Sequence, residues 1–238
     1  MRRSNPDTAE CSEESVRIIS GESTHLQPAM MSRLARYRHE VFVQRLGWKL
    51  PCPDGIELDQ FDREDTVYVV ALDKHSGAIR GMARLLPTTG PYLLRDIFPA
   101  LLHGSPAPAS PNIWEISRFA VVELKAPALP GNVQFSSRSA TALLRATIMC
   151  AAELGASELV SVSPVGIERL LQRAGLRFKT ASPVAIDGRQ LFACRIDTGQ
   201  YQSAMGDADQ RSLCPADADS SDSQEDPLNS HHIGEMTR

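Results

Sequence analysis

Two short acid- and arginine-bearing strings carry the residues best suited to chemistry. Glu57-Leu58-Asp59-Gln60-Phe61-Asp62 packs three acids into six residues. Leu58 and Phe61 are spaced to anchor a negatively charged pocket wall. Trp114-Glu115-Ile116-Ser117-Arg118-Phe119 sets an acid and a base in a β-rich run. On a regular strand Glu115, Ser117 and Phe119 share one face and Arg118 takes the other, unless a bulge re-aims them. A carboxyl flanked by Trp114 and Ile116 is partly desolvated, which raises its pKa and suits a general base. Arg118, three residues on, is close enough to pair with Glu115 and lower that pKa again. Arg38 and Arg84 each interrupt a run of core-like residues, and complete the charged set. The competing readings are ordinary ones: a solvated acidic loop, an edge strand with surface charges, and arginines snorkelling from the domain edge.

The elements that must position these residues follow from periodicity. Val16–Ile19 is a short strand, and the apolar residues Leu26, Met30, Leu34, Tyr37, Val41 and Phe42 recur at helical spacing up to about Val43. A turn-rich stretch runs from Gly47 to Arg63. Thr66–Leu72 and Ala78–Leu86 are β-rich and flank the turn Lys74-His75-Ser76-Gly77, which predicts an antiparallel hairpin. Tyr92–Phe98 is a short helix or turn, and Trp114–Val122 a strand. Asn132 can cap a helix running to Leu154, with Phe135, Leu143, Leu144, Met149 and Ala152 inward and Gly155 as the stop. Leu159–Ser163 is a strand, Pro164 opens a helix to Ala174, Gly175 closes it, and Leu191–Ile196 is the last strand. The pattern predicts one mixed α/β domain, a largely antiparallel central sheet with helices packed on it.

Composition bounds the rest. The chain has 238 residues, 42% hydrophobic and 23% charged, enough to bury a core. No apolar run approaches the roughly 20 residues of a membrane span, and no apolar segment follows Met1-Arg2-Arg3 as in a signal peptide. Five cysteines without a C-x-x-C pair argue against a zinc site or a disulfide framework and fit a reduced cytoplasm. The net charge of −4 is uneven: residues 203–238 hold eight acids against two bases, which leaves +2 on the remainder. That tail lacks aromatics and reads as disordered and acidic, residues 1–15 as a shorter flexible arm, and 16–202 as the folded domain. There is no phosphate-binding glycine motif, no H-x-x-x-H pair and no G-x-S-x-G elbow, so those nucleotide, metal and serine-hydrolase sites are not expected. Basic residues form no stripe, which argues against nucleic acid.

Taken in order, Arg38, Phe42, Trp48, Asp59, Asp62, Arg84, Phe98, Glu115 and Arg118 resemble the characteristic set of the acyl-homoserine lactone synthases, the bacterial autoinducer synthases of quorum sensing. The strings Tyr37–Phe42, Leu46-Gly47-Trp48, Glu57–Asp62, Ala83–Thr89 and Trp114–Phe119 carry the likeness, which covers about residues 16–197. It implies an α/β/α fold similar to the N-acetyltransferases. The implied reaction is acyl transfer from an acyl carrier protein or acyl-CoA thioester to the amine of S-adenosylmethionine, followed by lactone closure and loss of methylthioadenosine. S-adenosylmethionine is a substrate, and no cofactor is implied. Asp59 and Asp62 suit its ammonium and sulfonium, and an arginine fork suits its carboxylate. Phe42 and Trp48 suit the adenine or the sulfonium. Arg38, Phe42 and Trp48 belong by analogy to a segment that orders over this substrate, with Arg84, Glu115 and Arg118 nearer the reacting centre. Which arginine holds the carboxylate and which braces an acid stays open.

Two further expectations attach to the resemblance, and two rival readings stand beside it. Ser161 falls where some members carry a threonine linked to 3-oxo-acyl preference. Arg169 and Arg173, on one helical face with Arg177 and Lys179 nearby, suit docking of an acidic carrier protein. An acetyl-CoA-dependent N-acetyltransferase is the nearer rival, but the [QR]-x-x-G-x-[GA] pyrophosphate turn is replaced by Leu129-Pro130-Gly131-Asn132-Val133. A catalytically dead binding module is the farther one, and predicts loss of pocket charges that are all in place.

Overall fold

A computed structural model describes residues 16–122, 124 and 138–199. The proposed tail, the N-terminal arm, the Asn132 cap and Phe135 lie outside the described residues. Eight strands form one sheet: β1 Val16–Glu22, β2 Val67–Asp73, β3 Ile79–Pro87, β4 Ile113–Val121, β5 Glu158–Pro164, β6 Phe178–Thr180, β7 Val184–Ile186 and β8 Arg189–Asp197. Their order is β1-β2-β3-β4-β5-β8-β6, with β7 also paired to β8. Every pairing is antiparallel except β4 with β5, which run parallel over Ile113–Glu115 and Glu158–Val160. Beyond Glu115 and Val160, β4 follows β3 and β5 follows β8, so the sheet parts at its centre.

Strand alternation sends side chains to two helical layers. Val67, Val69, Leu85, Leu159 and Cys194 face α3 (Arg138–Glu153) and α4 (Ile167–Arg173), whose Leu143, Leu144, Ile148, Leu170 and Leu171 complete that core. On the opposite face Tyr68, Val70 and Met82 pack under Leu34, Tyr37 and Phe42, from α1 (Pro28–Arg38) and the π-helical segment His39–Arg45 that continues it. Farther along that face Leu86, Val160 and Ala193 pack under Leu93 and Leu94 of the single turn α2 (Leu93–Asp96), and under Leu101. The result is three layers, α/β/α.

Several expectations shift. The helix from Leu26 to Val43 is real but widens to π geometry over its last two turns, a distortion that recurs at functional sites. Pro164 ends β5 rather than opening a helix, and α4 begins at Ile167 after Gly166 at φ +109°. Met149 is 43% exposed, not inward: it sits off the stripe defined by Leu143, Leu144 and Ile148. The β6 and β7 strands of three residues each are too short to show a period.

Candidate active site

The two charged strings converge between the apolar layers under α1 and α2. Arg84, on β3, is fully buried and reaches across to the Glu57–Asp62 loop. Its Nη1 donates to Asp59 Oδ1 (2.6 Å) and Asp62 Oδ1 (2.9 Å), its Nη2 to Asp59 Oδ2 (3.0 Å), and its Nε to Ser117 Oγ (3.0 Å). Arg38, the last residue of α1, donates from Nη1 to Asp62 Oδ1 at 2.6 Å and from Nε to Glu57 Oε2. Arg118 donates from Nη2 to Glu57 Oε1 (2.9 Å) and Asp59 Oδ2 (2.8 Å). Three guanidiniums therefore meet three carboxylates, and all three arginines brace acids.

Arg118 joins this group because β4 bulges. Ser117 lies opposite Arg84 and Ala120 opposite Met82, so Arg118 and Phe119 share the space of one β3 residue. Arg118 takes φ +51°, the left-handed conformation of a bulge residue, which swings its side chain toward the Ser117–Arg84 cluster. The expected pairing of Arg118 with Glu115 is thus replaced by pairing with Glu57 and Asp59. Just past the bulge Gly81 lies opposite Val121, where a Cβ would come within 2.8 Å of the Ala120 carbonyl.

Electrostatics separates the acids. Burial raises the Asp62 carboxyl, but Arg38 and Arg84 outweigh it and hold the group far below its usual range. Glu57 is 1% exposed; burial is again overcome, here by Arg118 and Arg38, and its pKa is lowered. Burial pushes the Tyr68 phenol up, assisted by Asp62, whose Oδ1 accepts its O–H at 2.5 Å. Asp59 is the most accessible of the three acids, with 22% of its side chain exposed. Glu115 behaves oppositely. It is wholly buried and raised to about 7 by that burial, against the pull of the Leu93 and Leu94 N–H groups and of Arg84. Those two N–H groups donate to its Oε2 (2.8 Å) and Oε1 (2.7 Å), so the carboxylate also pins the start of α2.

The aromatic pair lies at the cluster's edge. Phe42 and Trp48 stand 4.7 Å apart, and the Arg118 guanidinium sits 5.5 Å and 5.4 Å from their ring centres. Beyond α2 a cavity of about 200 Å³ is lined chiefly by Leu94, Leu101, Leu102, Val160, Ala181 and Ala193, with Lys179 and Arg195 also in its wall. Phe98 is half-buried and packs against the same apolar layer. Ser161 is buried on the other face of β5, paired with Cys194 of the α3/α4 layer, and its Oγ lies 2.9 Å from Ser163 Oγ. It does not line that cavity. Arg169 and Arg173 are exposed on α4, and Arg177 pairs with Asp197 at 2.8 Å.

Glu57 and Tyr68 were absent from the sequence-derived set. Glu57 lay in the acidic string, but nothing in its spacing marks it as the acid that joins two arginines. Tyr68 read as one more residue of a buried strand. Its alternation with Val67 and Val69 was the available signal, since it placed the ring on the face that carries Arg84's acids.

An acyltransferase-type α/β/α sheet that parts at its centre, with a balanced charge cluster on one side of an apolar cavity, defines the class. A P. aeruginosa acyl-CoA N-acyltransferase at 16% identity and TM-score 0.51 shares this fold, and covers 76% of this chain and 99% of its own. The autoinducer synthase family model matches residues 22–204. The acyl-homoserine-lactone synthase of Acinetobacter nosocomialis is 49% identical over 181 residues, 76% of this chain and 98% of that protein. The solved structure of BjaI, a CoA-dependent acyl-homoserine lactone synthase with SAM and isopentyl-CoA, matches at 27% identity and TM-score 0.67 over 82% of this chain and 88% of its own. The chain belongs to the autoinducer synthase family, the acyl-homoserine lactone synthases.

Proposed function

We propose that this protein makes an N-acyl-homoserine lactone from S-adenosylmethionine and an acyl thioester in the cytoplasm. The amine attacks the thioester carbonyl, a carbon–nitrogen bond forms, and the thiol of the carrier leaves. The methionine carboxylate then attacks its own γ-carbon, closes the lactone and expels methylthioadenosine. One observation carries the reading: Asp59, the most accessible acid of an otherwise buried, charge-balanced cluster, is joined through Arg118 to the Phe42–Trp48 pair. The ammonium and sulfonium of S-adenosylmethionine suit an accessible acid and a pair of aromatic faces. In the substrate complex Asp59 and Asp62 take the positive groups, Phe42 and Trp48 enclose the nucleoside end, and Arg38, Arg84 and Ser117 keep the acids aimed.

The amine must lose its proton before it attacks. Glu57 and Asp62 are held too acidic to accept one, whereas Glu115 at about 7 has the proton affinity the step requires. Its two oxygens face the backbone of Leu93 and Leu94, so the proton reaches it through a water rather than by direct contact. The acyl chain enters the cavity behind Leu94. By proportion to the 150 Å³ that accommodates a benzene ring, its 200 Å³ accepts roughly eight carbons. Arg169 and Arg173 are the surface for an acidic carrier. No described helix is long and apolar enough to cross a membrane.

The test is direct: purified protein, S-adenosylmethionine, and octanoyl thioesters of acyl carrier protein and of CoA, with mass spectrometry of the products. A homoserine lactone and methylthioadenosine in equal amounts are expected. Acylation of another amine, without methylthioadenosine, would instead favour the N-acetyltransferase reading.

A further inference from the structure

The segment carrying the aromatic pair is held from a distant part of the chain. β7 and β8 are joined by the two-residue turn Asp187-Gly188, at φ +47° and +73°, with Ile186 opposite Arg189. Two left-handed residues in a two-residue loop match the twist of the strands, so the first residue of β8 is presented rigidly. That residue is Arg189. Its Nη2 donates to the Leu46 carbonyl at 2.9 Å, and its guanidinium carbon lies 5.8 Å from the centre of the Trp48 ring.

Both contacts fall on one turn. Leu46 caps the π segment His39–Arg45, where backbone carbonyls lack helical partners and attract cations. Gly47, at φ +65°, then reverses the chain, and the Trp48 N–H returns to the Phe42 carbonyl at 2.9 Å. One side chain thus grips the turn before the glycine through its backbone and after it through its ring. The same strand, four residues farther on, supplies Ala193 to the wall of the apolar cavity.

We propose that Arg189 is a positioning residue for S-adenosylmethionine: it locks the Leu46–Trp48 turn, and so the Phe42–Trp48 pair, in the binding posture and at a fixed distance from the acyl cavity. Arg189 is exposed and outside the charge cluster, so its contribution is to the fraction of molecules whose aromatic pair is in place. Apparent affinity scales inversely with that fraction. The proposal rests on the lactone-synthase reading of the site.

The experiment compares wild type, Arg189→Ala and Arg189→Lys by KM for S-adenosylmethionine, kcat, melting temperature and calorimetric binding of methylthioadenosine. Arg189→Ala should raise KM and the methylthioadenosine Kd together, by about three- to tenfold, with kcat moving less than twofold. Arg189→Lys keeps the charge and a donor but not the planar stack, and should fall between. A KM and Kd within twofold of wild type in Arg189→Ala, or an equal change in kcat alone, would overturn the inference. Absence of any lactone from the wild-type protein would overturn the underlying reading instead, and is told apart because it appears before any substitution.

Discussion

Glu115→Gln is the perturbation that most sharply tests the chemistry. Glu115 is fully buried and raised from 4.5 to about 7, so between those values the folded state holds a proton that the unfolded chain has released. Folding stability therefore falls as pH rises through this window, by an order of about 3 kcal/mol in total. The amide removes that dependence. It also turns one acceptor into a donor facing the Leu93 or Leu94 N–H, which costs about 1–3 kcal/mol for a buried unsatisfied group. The two costs are similar in size, but the amide's is the same at every pH whereas the wild type's appears only as pH rises. The variant should be less stable than wild type near pH 5 and close to it at pH 8, as read by urea midpoints.

Kinetics then isolates the proton transfer. At pH 8, where the folds are comparably stable, loss of a general base lowers kcat by roughly 10²–10⁴-fold while S-adenosylmethionine still binds. The wild-type rate should rise with pH through an ionisation near 7, and the variant should lack that limb. The assay is lactone formation at saturating substrates, with methylthioadenosine affinity measured separately. A variant that keeps its kcat and its pH profile, losing only affinity or stability, would refute Glu115 as the proton acceptor and leave it as the anchor of α2.

Other consequences are equally specific. Glu57→Gln removes the acid between Arg38 and Arg118, leaving buried guanidiniums undercompensated, and should destabilise the protein by about 3–5 kcal/mol in urea titration. Because the folded pKa values of Glu57 and Asp62 are depressed, their stabilisation is present above about pH 4 and lost as pH falls further, so an acid unfolding limb shallower in Glu57→Gln is expected. Ala193→Phe fills the cavity of about 200 Å³ and should shift the lactones made from mixed thioesters toward shorter chains, an unchanged distribution placing the acyl chain elsewhere. Reversing exposed Arg169 and Arg173 to Glu should raise KM for an acyl carrier protein donor, more at low salt, and leave KM for acyl-CoA alone.

Much of the arrangement was legible because hydrophobic period and turn chemistry agree. The β2–β3 hairpin announced itself through Lys74–Gly77, and the core stripe of α3 through Leu143, Leu144 and Ile148. The site residues were legible as types, since buried acids and arginines in core-like segments need a reason to be there. Their pairings were not. Arg118 reaches Glu57 across 61 residues through a bulge with positive φ, a conformation that an arginine does not signal in sequence. Likewise Arg189 meets Leu46 across 143 residues, a contact fixed by sheet order alone. The π geometry of His39–Arg45 leaves the apolar spacing nearly helical, so it was indistinguishable from an ordinary continuation of α1.

The balance of the cluster bears on how the reaction moves forward. A buried network of three arginines and three acids is a poor device for stability, since well-packed apolar residues often serve as well or better. Its value lies in what it discriminates. S-adenosylmethionine enters with a net charge of +1, from ammonium, sulfonium and carboxylate. Acylation turns the ammonium into a neutral amide, and lactone closure consumes the sulfonium and the carboxylate together. On the proposed reading, Asp59, the most open of the three acids, and the Phe42–Trp48 pair attract the charges present at the start and find none at the end. In the low-dielectric setting of Arg84 and Arg118 such attraction is stronger than in water, so its loss favours departure of the products. Arg118, 5.4 Å from the Trp48 ring, supplies that ring with a cation of the protein's own. The geometry proposed to select a cationic substrate therefore disfavours retention of both neutral products.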